Sequence, residues 1–279
     1  MEKRSVDVVV LSDMHLGTYG CKAKELLAYL KSIQPGILIL NGDIIDIWQL
    51  SKSYFPTSHM AVIKEILHFM MNGTRVFYIT GNHDESLRRY TDVHLSDFIM
   101  TDKLVLEIDH KMTWIFHGDV FDNTTRGSAK LIAKLGSSGY GALILFNRLI
   151  NRLLKFFGKE RISISRRIMQ SVNKAIVKIN NFEEVAAEIA IEKKYDYVIC
   201  GHIHQPQIKE IVNEKGKVTY LNSGDWIEHM TSLEYHQHQW KLFTYDESIF
   251  EEIKIEKKKE TNVVTDGIDY HITHLVLQS

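Results

Sequence analysis

Aspartate and histidine recur in this chain where short apolar runs stop, and side chains of those types in those places could hold divalent metal ions. Val8-Val9-Val10-Leu11 leads to Asp13 and His15, Ile37-Leu38-Ile39-Leu40 to Asp43, and Val76-Phe77-Tyr78-Ile79 to Asn82 and His83. Further on, Trp114-Ile115-Phe116 leads to His117, Tyr197-Val198-Ile199-Cys200 to His202 and His204, and Val218-Thr219-Tyr220-Leu221 to Asp225. Carboxylate, amide and imidazole donors without thiolate suit Mn2+, Fe2+ or Zn2+, and donor type alone does not choose among them. Asp13 and Asp43 return only part of the positive charge that a pair of divalent ions brings, so such a centre wants an anion. Two ions about 3.5–4 Å apart can activate a water and stabilise both the attacking and the leaving oxygen at phosphorus. Hydrolysis of a phosphoester or pyrophosphate is the chemistry expected.

To position these side chains, the runs must become strands that end at one edge. β-Branched and aromatic runs bounded by Gly read as buried strands, and open α/β sheets bind ligands beyond the carboxyl ends of their strands. Gly42, Gly81, Gly118, Gly201 and Gly224 stand beside the candidate ligands, where a residue without Cβ lets the chain turn and a ligand approach the backbone. Lys22 to Ser32 and Ser58 to Met71 have helical spacing. Leu26, Leu27 and Leu30 mark the core stripe of the first, and Met60, Ile63, Leu67 and Met70 that of the second. Pro35-Gly36 and Asn72-Gly73 punctuate the passage into the following strands, giving βαβα order with helices over the sheet. Strands near 104–117 and 207–221, the latter broken at Asn213 to Gly216, predict hairpins of a second sheet.

In chain order the strand endings read Asp13-Met14-His15, Gly42-Asp43, Gly81-Asn82-His83-Asp84, His117-Gly118-Asp119, Gly201-His202-Ile203-His204 and Ser223-Gly224-Asp225. The first five, with Asp46 three residues after Asp43, match DxH, GDxxD, GNH[DE], H and GHxH, and so the chain resembles the calcineurin-like metallophosphoesterase superfamily. The resemblance implies an α/β fold: a two-sheet β-sandwich flanked by helices. It implies one metal on Asp13, His15, Asp43 and His204, and a second on Asp43, Asn82, His117 and His202, with Asp43 bridging and Mn2+ the expected ion. Asn82 and His83 would also contact substrate, and a hydroxide shared by the metals would attack phosphorus. His83 would be the acid or hydrogen-bond donor to the leaving group, oriented by Asp46. Taken singly, His117 or His202 would read as an interior histidine; the ordered set reverses that. Asp84, Asp119 and Asp225 fit helix caps or partners of ligands as well as ligands; His59, His68, His94, His110, His271 and His274 read as surface or packing residues, and His236 and His238 as surface residues that could touch substrate.

Gly42-Asp43-Ile44-Ile45-Asp46-Ile47-Trp48 and Gly224-Asp225-Trp226 are similar to sequences of the bacterial UDP-2,3-diacylglucosamine diphosphatases and their near relatives. That family hydrolyses a pyrophosphate to UMP and 2,3-diacylglucosamine 1-phosphate in lipid A synthesis, at the inner face of the cytoplasmic membrane. Its best-known branch carries Arg where this chain has His83, which leaves another nucleotide-linked or soluble small phosphodiester as the alternative substrate. Phosphoprotein phosphatases carry Arg after the second Asp of GDxxD, where Ile47-Trp48 stand here, so phosphoproteins are disfavoured. A non-enzymatic scaffold of the same fold would be expected to lose ligands, and none is missing.

An inserted helical cap is expected over 124–181, between core segments 1–123 and 182–279. There the only acid among many Lys and Arg is Glu160. Within it Ala142 to Phe157 is amphipathic, with Arg148, Arg152, Lys155 and Lys159 at helical spacing beside Leu and Phe. Such a helix could lie among lipid headgroups or hold a substrate with acyl chains and phosphates, Arg148 and Arg152 making the contact; an ordinary hairpin packed on the core is the plainer alternative. Its aliphatic rather than aromatic residues argue against nucleic acid.

The chain's 279 residues, 44% hydrophobic, suffice for a substantial core, and a net charge of −1 argues against a protein that coats nucleic acid. Cys21 and Cys200 do not suggest a disulfide framework. With no apolar stretch of about 18 residues and no signal-like start, a cytoplasmic protein in peripheral contact with the inner membrane is expected. Residues 251–260 suggest a charged edge strand, and 262–279 an added strand or a tail that meets a partner.

Overall fold

The computed structural model describes residues 3–50, 54–121 and 182–248. Contacts divide the chain into Met1–Tyr245, which holds both sheets, and Asp246–Ser279, in which the Asp246 carboxylate accepts hydrogen bonds from the Ser248 amide and hydroxyl. The expected cap, Arg148, Arg152 and the 262–279 segment lie outside the described residues.

Among the described residues, strands alternate with helices or hairpin turns. In order they are β1 (Arg4–Leu11), α1 (Ala23–Ser32), β2 (Ile33–Asn41), α2 (Thr57–Met71), β3 (Arg75–Ile79), a 3-10 segment (Glu85–Tyr90), β4 (Val93–Leu95), β5 (Phe98–Thr101), β6 (Lys103–Ile108), β7 (Lys111–Phe116), α3 (Phe182–Glu192), β8 (Tyr197–Cys200) and β9 (Gln207–Asn213). β10 (Gly216–Asn222), β11 (Thr231–His236) and β12 (Gln239–Thr244) follow. One sheet has the order β12-β11-β1-β2-β3-β5-β4 and the other β6-β7-β8-β10-β9. β1, β2, β3 and β5 run parallel in the first, as do β7, β8 and β10 in the second.

Alternation along the strands makes the sandwich. Val8, Val10, Ile39, Phe77 and Ile79 of one sheet meet Ile108, Ile115, Ile199 and Leu221 of the other in a single buried cluster. Val9 and Leu38, also buried, fall on the opposite face, as a period of two requires. α1 and α2 pack on each other and against β2 and β3, while Phe182, Ala186, Ala187 and Ala190 of α3 cover Val198, Cys200 and Tyr220. The chain is thus a mixed α/β protein with two sheets and flanking helices, and the predicted hairpins are present as β6–β7 and β9–β10.

Two local expectations need correction. The buried face of α2 is His59, Val62, Ile66 and Phe69, one residue before the predicted stripe, and Met60 and Leu67 are 43% and 50% exposed. Both stripes have the same spacing, and only His59 makes the true one look polar; its imidazole is satisfied inside by the Gly17 amide at 2.9 Å. Pro35-Gly36, read as a turn, lies within β2, with Pro35 opposite Val6 near the strand's start. At Pro35 the strand has β1 as its neighbour and β3 pairs only from Ile37 onward, so proline stands where one side of β2 carries no ladder.

Candidate metal centre

Every candidate ligand stands just past the carboxyl end of a strand. Asp13 and His15 follow β1, Asp43 follows β2, Asn82 and His83 follow β3, His117 follows β7, and His202 and His204 follow β8. Because β1, β2 and β3 are mutually parallel, as are β7 and β8, the endings within each sheet meet at one edge, and the facing of the two sheets brings both sets together. Asp13, His15, Asp43, His202 and His204 all have left-handed backbone, with φ of 51°, 48°, 55°, 64° and 52°. This is a sparsely populated region for residues other than Gly, although Asp and His enter it more readily than most. Such residues turn the chain abruptly, so that consecutive loop positions aim side chains at one point.

The loops interlock through backbone hydrogen bonds. Asp13 N–H donates to Gly42 C=O at 3.1 Å, His15 N–H to Asp43 C=O at 2.9 Å, and Gly201 N–H to His117 C=O at 3.0 Å. Carboxylates tie further strands together: the His83 amide donates to Asp43 Oδ1 at 2.8 Å and the His202 amide to Asp13 Oδ2 at 3.0 Å. A Cβ on Gly81 would collide with the Asp43 side chain and would lie 2.6 Å from its backbone nitrogen, so the close approach of these two loops requires glycine.

Three groups of donor atoms each fit within 4.8 Å: Asp13, His15 and His204; His15, Asp43 and His83; and Asp13, Asp43 and His117. His117 Nε2 lies 3.4 Å from Asp43 Oδ2, and His204 Nε2 lies 3.1 Å from Asp13 Oδ1. His202 falls in none of the three groups, but its ring centroid is 5.2 Å from that of His117. His83 is closer to the donors than the family pattern implies, and its ring is flanked by His15 and by Trp48, each with its centroid 4.6 Å away. Asp13, Asp43 and His117 are buried, whereas Asn82, His83, His202 and His204 are only partly so, leaving one accessible side.

Several buried atoms of this set lack a hydrogen-bond partner among the described residues: Asp13 Oδ1, His15 Nε2, Asn82 Oδ1 and His117 Nε2. An unsatisfied buried polar atom costs about 1–3 kcal/mol, so so many at one point are anomalous unless something binds them. All are lone-pair donors of the kinds a borderline divalent ion accepts. The residues therefore fit the metals that the fold family implies.

Electrostatics point the same way. Burial works to lower the His117 imidazole, but Asp43, with Asp13 behind it, overrides this and raises it to about 10. His204 is likewise raised against burial to about 9, chiefly by Asp13. Burial pushes Asp13 and Asp43 up, yet His204 holds the first below its ordinary value and His117 holds the second well below. Without metal, therefore, imidazolium protons neutralise the carboxylates.

Further residues hold the ligands in place. His117 Nδ1 donates to Asn41 C=O at 2.9 Å, which leaves Nε2 facing the carboxylates. Asp84 accepts from the Gly81 and Ile44 amides at 2.5 and 3.1 Å and from the Tyr78 hydroxyl at 2.6 Å, joining the loops after β2 and β3. Asp225 is fully buried; its Oδ1 accepts from the Ile227 and Glu228 amides, and its Oδ2 contacts His229 and lies 3.8 Å from His204 Nδ1. His229 escaped the sequence reading because it follows no strand and belongs to none of the matched motifs. Asp119 pairs with Arg88.

The fold and site define a phosphoesterase. The family model for the calcineurin-like phosphoesterases matches residues 6–206, well over half of the chain, and the chain belongs to that family. It is a metal-dependent phosphoester hydrolase. Among curated proteins it is similar to the UDP-2,3-diacylglucosamine hydrolase of Wigglesworthia glossinidia brevipalpis, 25% identical over 76% of this chain and 85% of that protein. The proteins of the same name from Blochmanniella pennsylvanica (22%, 76% and 85%) and Photorhabdus laumondii (23%, 72% and 83%) are similar at the same level.

Proposed function

We propose that this protein uses two divalent ions, Mn2+ first with Fe2+ or Zn2+ as alternatives, to hydrolyse the pyrophosphate of UDP-2,3-diacylglucosamine in lipid A synthesis. What carries the two-ion reading is the concentration of partnerless buried donors on Asp13, His15, Asn82 and His117. Asp13, His15, Asp43 and His204 would hold one ion, and Asp43, Asn82, His117 and His202 the other. When bound, the ions supply Lewis-acid activation of water and neutralise charge on the phosphoryl oxygens.

The chain's own groups do the rest. His117 faces Nε2 inward because its Nδ1–H donates to the Asn41 carbonyl, so the Nε2 proton held without metal is the one a metal would displace. His83 lies on the accessible side, and although burial lowers its proton affinity, Asp46 and Asp43 raise it overall. A proton is thus held on His83 for the oxygen that departs when the P–O bond breaks. Trp48, 57% exposed, lies beside that ring with its centroid 4.6 Å away.

The substrate follows from the shared name of the relatives and from the Gly42–Trp48 and Gly224–Trp226 segments. Peripheral contact with the cytoplasmic face of the inner membrane belongs to the same reading; no helix among the described residues is long and apolar enough to cross a membrane. A second reading, another nucleotide-linked or a soluble small phosphodiester, is favoured by His83 in place of Arg. Mass spectrometry of products under Mn2+ separates them. UMP with 2,3-diacylglucosamine 1-phosphate, released much faster than bis-p-nitrophenyl phosphate is cleaved, supports the first reading. Fast diester cleavage without UMP supports the second, and metal-independent turnover contradicts both.

A further inference from the structure

Asp46 was expected to serve His83, yet its geometry addresses a ligand first. Its carboxylate is fully buried. Oδ1 accepts the Gln49 amide at 2.9 Å, which fixes the carboxylate plane, and Oδ2 forms a buried hydrogen bond with His15 Nδ1 at 3.1 Å. His83 Nδ1 comes within 2.9 Å of the same Oδ2, close enough for an ion pair, but it lacks the alignment of a hydrogen bond. Two imidazoles therefore converge on one oxygen, and His15 has the better-directed contact.

The consequence for His15 is a fixed tautomer. A carboxylate oxygen is an acceptor only, so His15 Nδ1 carries a proton and Nε2 is the nitrogen left to meet a metal. That Nε2 is buried without a hydrogen-bond partner and lies 3.9 Å from Asp13 Oδ1 and 3.8 Å from Asp43 Oδ2. We infer that Asp46 is a positioning residue for the metal ligand His15, and that through one shared oxygen it couples the filling of that metal site to the placement of His83. This rests on the reading of His15 as a ligand. Asp46 stands to His15 as the Asn41 carbonyl stands to His117, each taking the Nδ1 proton so that Nε2 faces the carboxylates. Loss of such an outer partner lowers metal affinity by roughly 10–100-fold.

The test counts free Mn2+ by electron paramagnetic resonance during titration of the full-length, metal-stripped chain. Asp46→Ala should weaken one of the two sites by about 10–100-fold, while Asp46→Glu, which keeps the carboxylate, recovers part of the loss and His83→Gln leaves both sites within about twofold. Unchanged Mn2+ affinity in Asp46→Ala, or an equal loss in His83→Gln, overturns the inference and leaves the two-ion reading standing; a wild-type chain that binds no Mn2+ removes that reading itself. If Asp46→Ala fails to fold, 15N spectra of the Zn2+-loaded wild type decide: a protonated His15 Nδ1 with Zn2+ on Nε2 is expected, and the reverse tautomer refutes it.

Discussion

Gly201→Ala tests whether the metal centre depends on how closely the strand ends approach one another. Gly201 is not in left-handed backbone, so alanine is allowed there and the effect is one of space alone. The new methyl carbon would lie 2.7 Å from Asp13 Oδ2 and 2.7 Å from the Ser12 side chain, where ordinary contact begins at 3.4 Å. Asp13 or β8 must give way by about 0.7 Å. Overpacking of this kind costs about 1–3 kcal/mol, and at this chain length each kcal/mol lowers the melting temperature by roughly 2–4 °C. Metal–ligand distances tolerate only about 0.2 Å, so the larger effect falls on the metal. In thermal melts with and without Mn2+, the metal-induced rise seen in the wild type should largely vanish in Gly201→Ala. Gly73→Ala is the control: its φ of 86° makes alanine strained, but nothing lies within 4 Å of the added methyl, so stability falls while the Mn2+ response stays. A folded Gly201→Ala that binds Mn2+ as the wild type does would refute the placement of Asp13 at the metal.

Loading of metal should expel protons. His117 and His204 are raised to about 10 and about 9 in the metal-free chain, so both are charged at pH 7, and Mn2+ affinity should climb with pH until those values are passed; calorimetry in buffers of different ionisation heat should find close to two protons released, and none released would contradict the assignment. Asp43→Ala should nearly abolish turnover and loading of both ions, and substantial remaining metal-dependent activity would rule out a bridging role. His83→Ala should lower turnover with both ions still bound, and loss of metal would place His83 among the ligands. Away from the centre, Tyr29→Phe removes a hydroxyl that donates to Glu234 at 3.0 Å and accepts from Ser232 at 2.8 Å, both buried. Denaturant melts should show a loss of about 1–3 kcal/mol without change in Mn2+ affinity, and an unchanged midpoint would show that the network contributes nothing.

Strands that end in candidate ligands were legible because they are short and apolar and all but β1 are closed by glycine, a pattern with few other outcomes in a two-layer sandwich. That β6–β7 and β9–β10 belong to a second sheet was legible from their hairpin pattern, whereas nothing in Tyr197–Cys200 placed β8 between β7 and β10, since only pairing in space does so. The register of α2 failed for a related reason: side-chain hydrophobicity cannot reveal that a buried amide, that of Gly17, waits for His59. At the site, residue types in chain order picked out the candidate ligands, but the residues that hold them escaped because some act through the backbone. Asn41 holds His117 with its carbonyl, which any residue could supply. Asp84 and Asp225 read as ambiguous carboxylates until their several backbone donors are seen.

The left-handed residues show what the centre requires of the fold. Asp13, His15, Asp43, His202 and His204 each adopt a conformation that costs about 1–3 kcal/mol, and together they approach the whole net stability of a typical domain, about 5–15 kcal/mol. Local sequence cannot offset this, for the strain lies in the very loops that carry the chemistry. The offset comes from outside them: two sheets pressed into one core, and backbone hydrogen bonds from Asp13 to Gly42, His15 to Asp43 and Gly201 to His117, which make each strained loop the partner of another. The five candidate ligands therefore do not reach their positions independently. Strain at one is held by the loop that presents the next within each sheet, and the His202 amide, donating to Asp13 Oδ2, joins the strained loops of the two sheets.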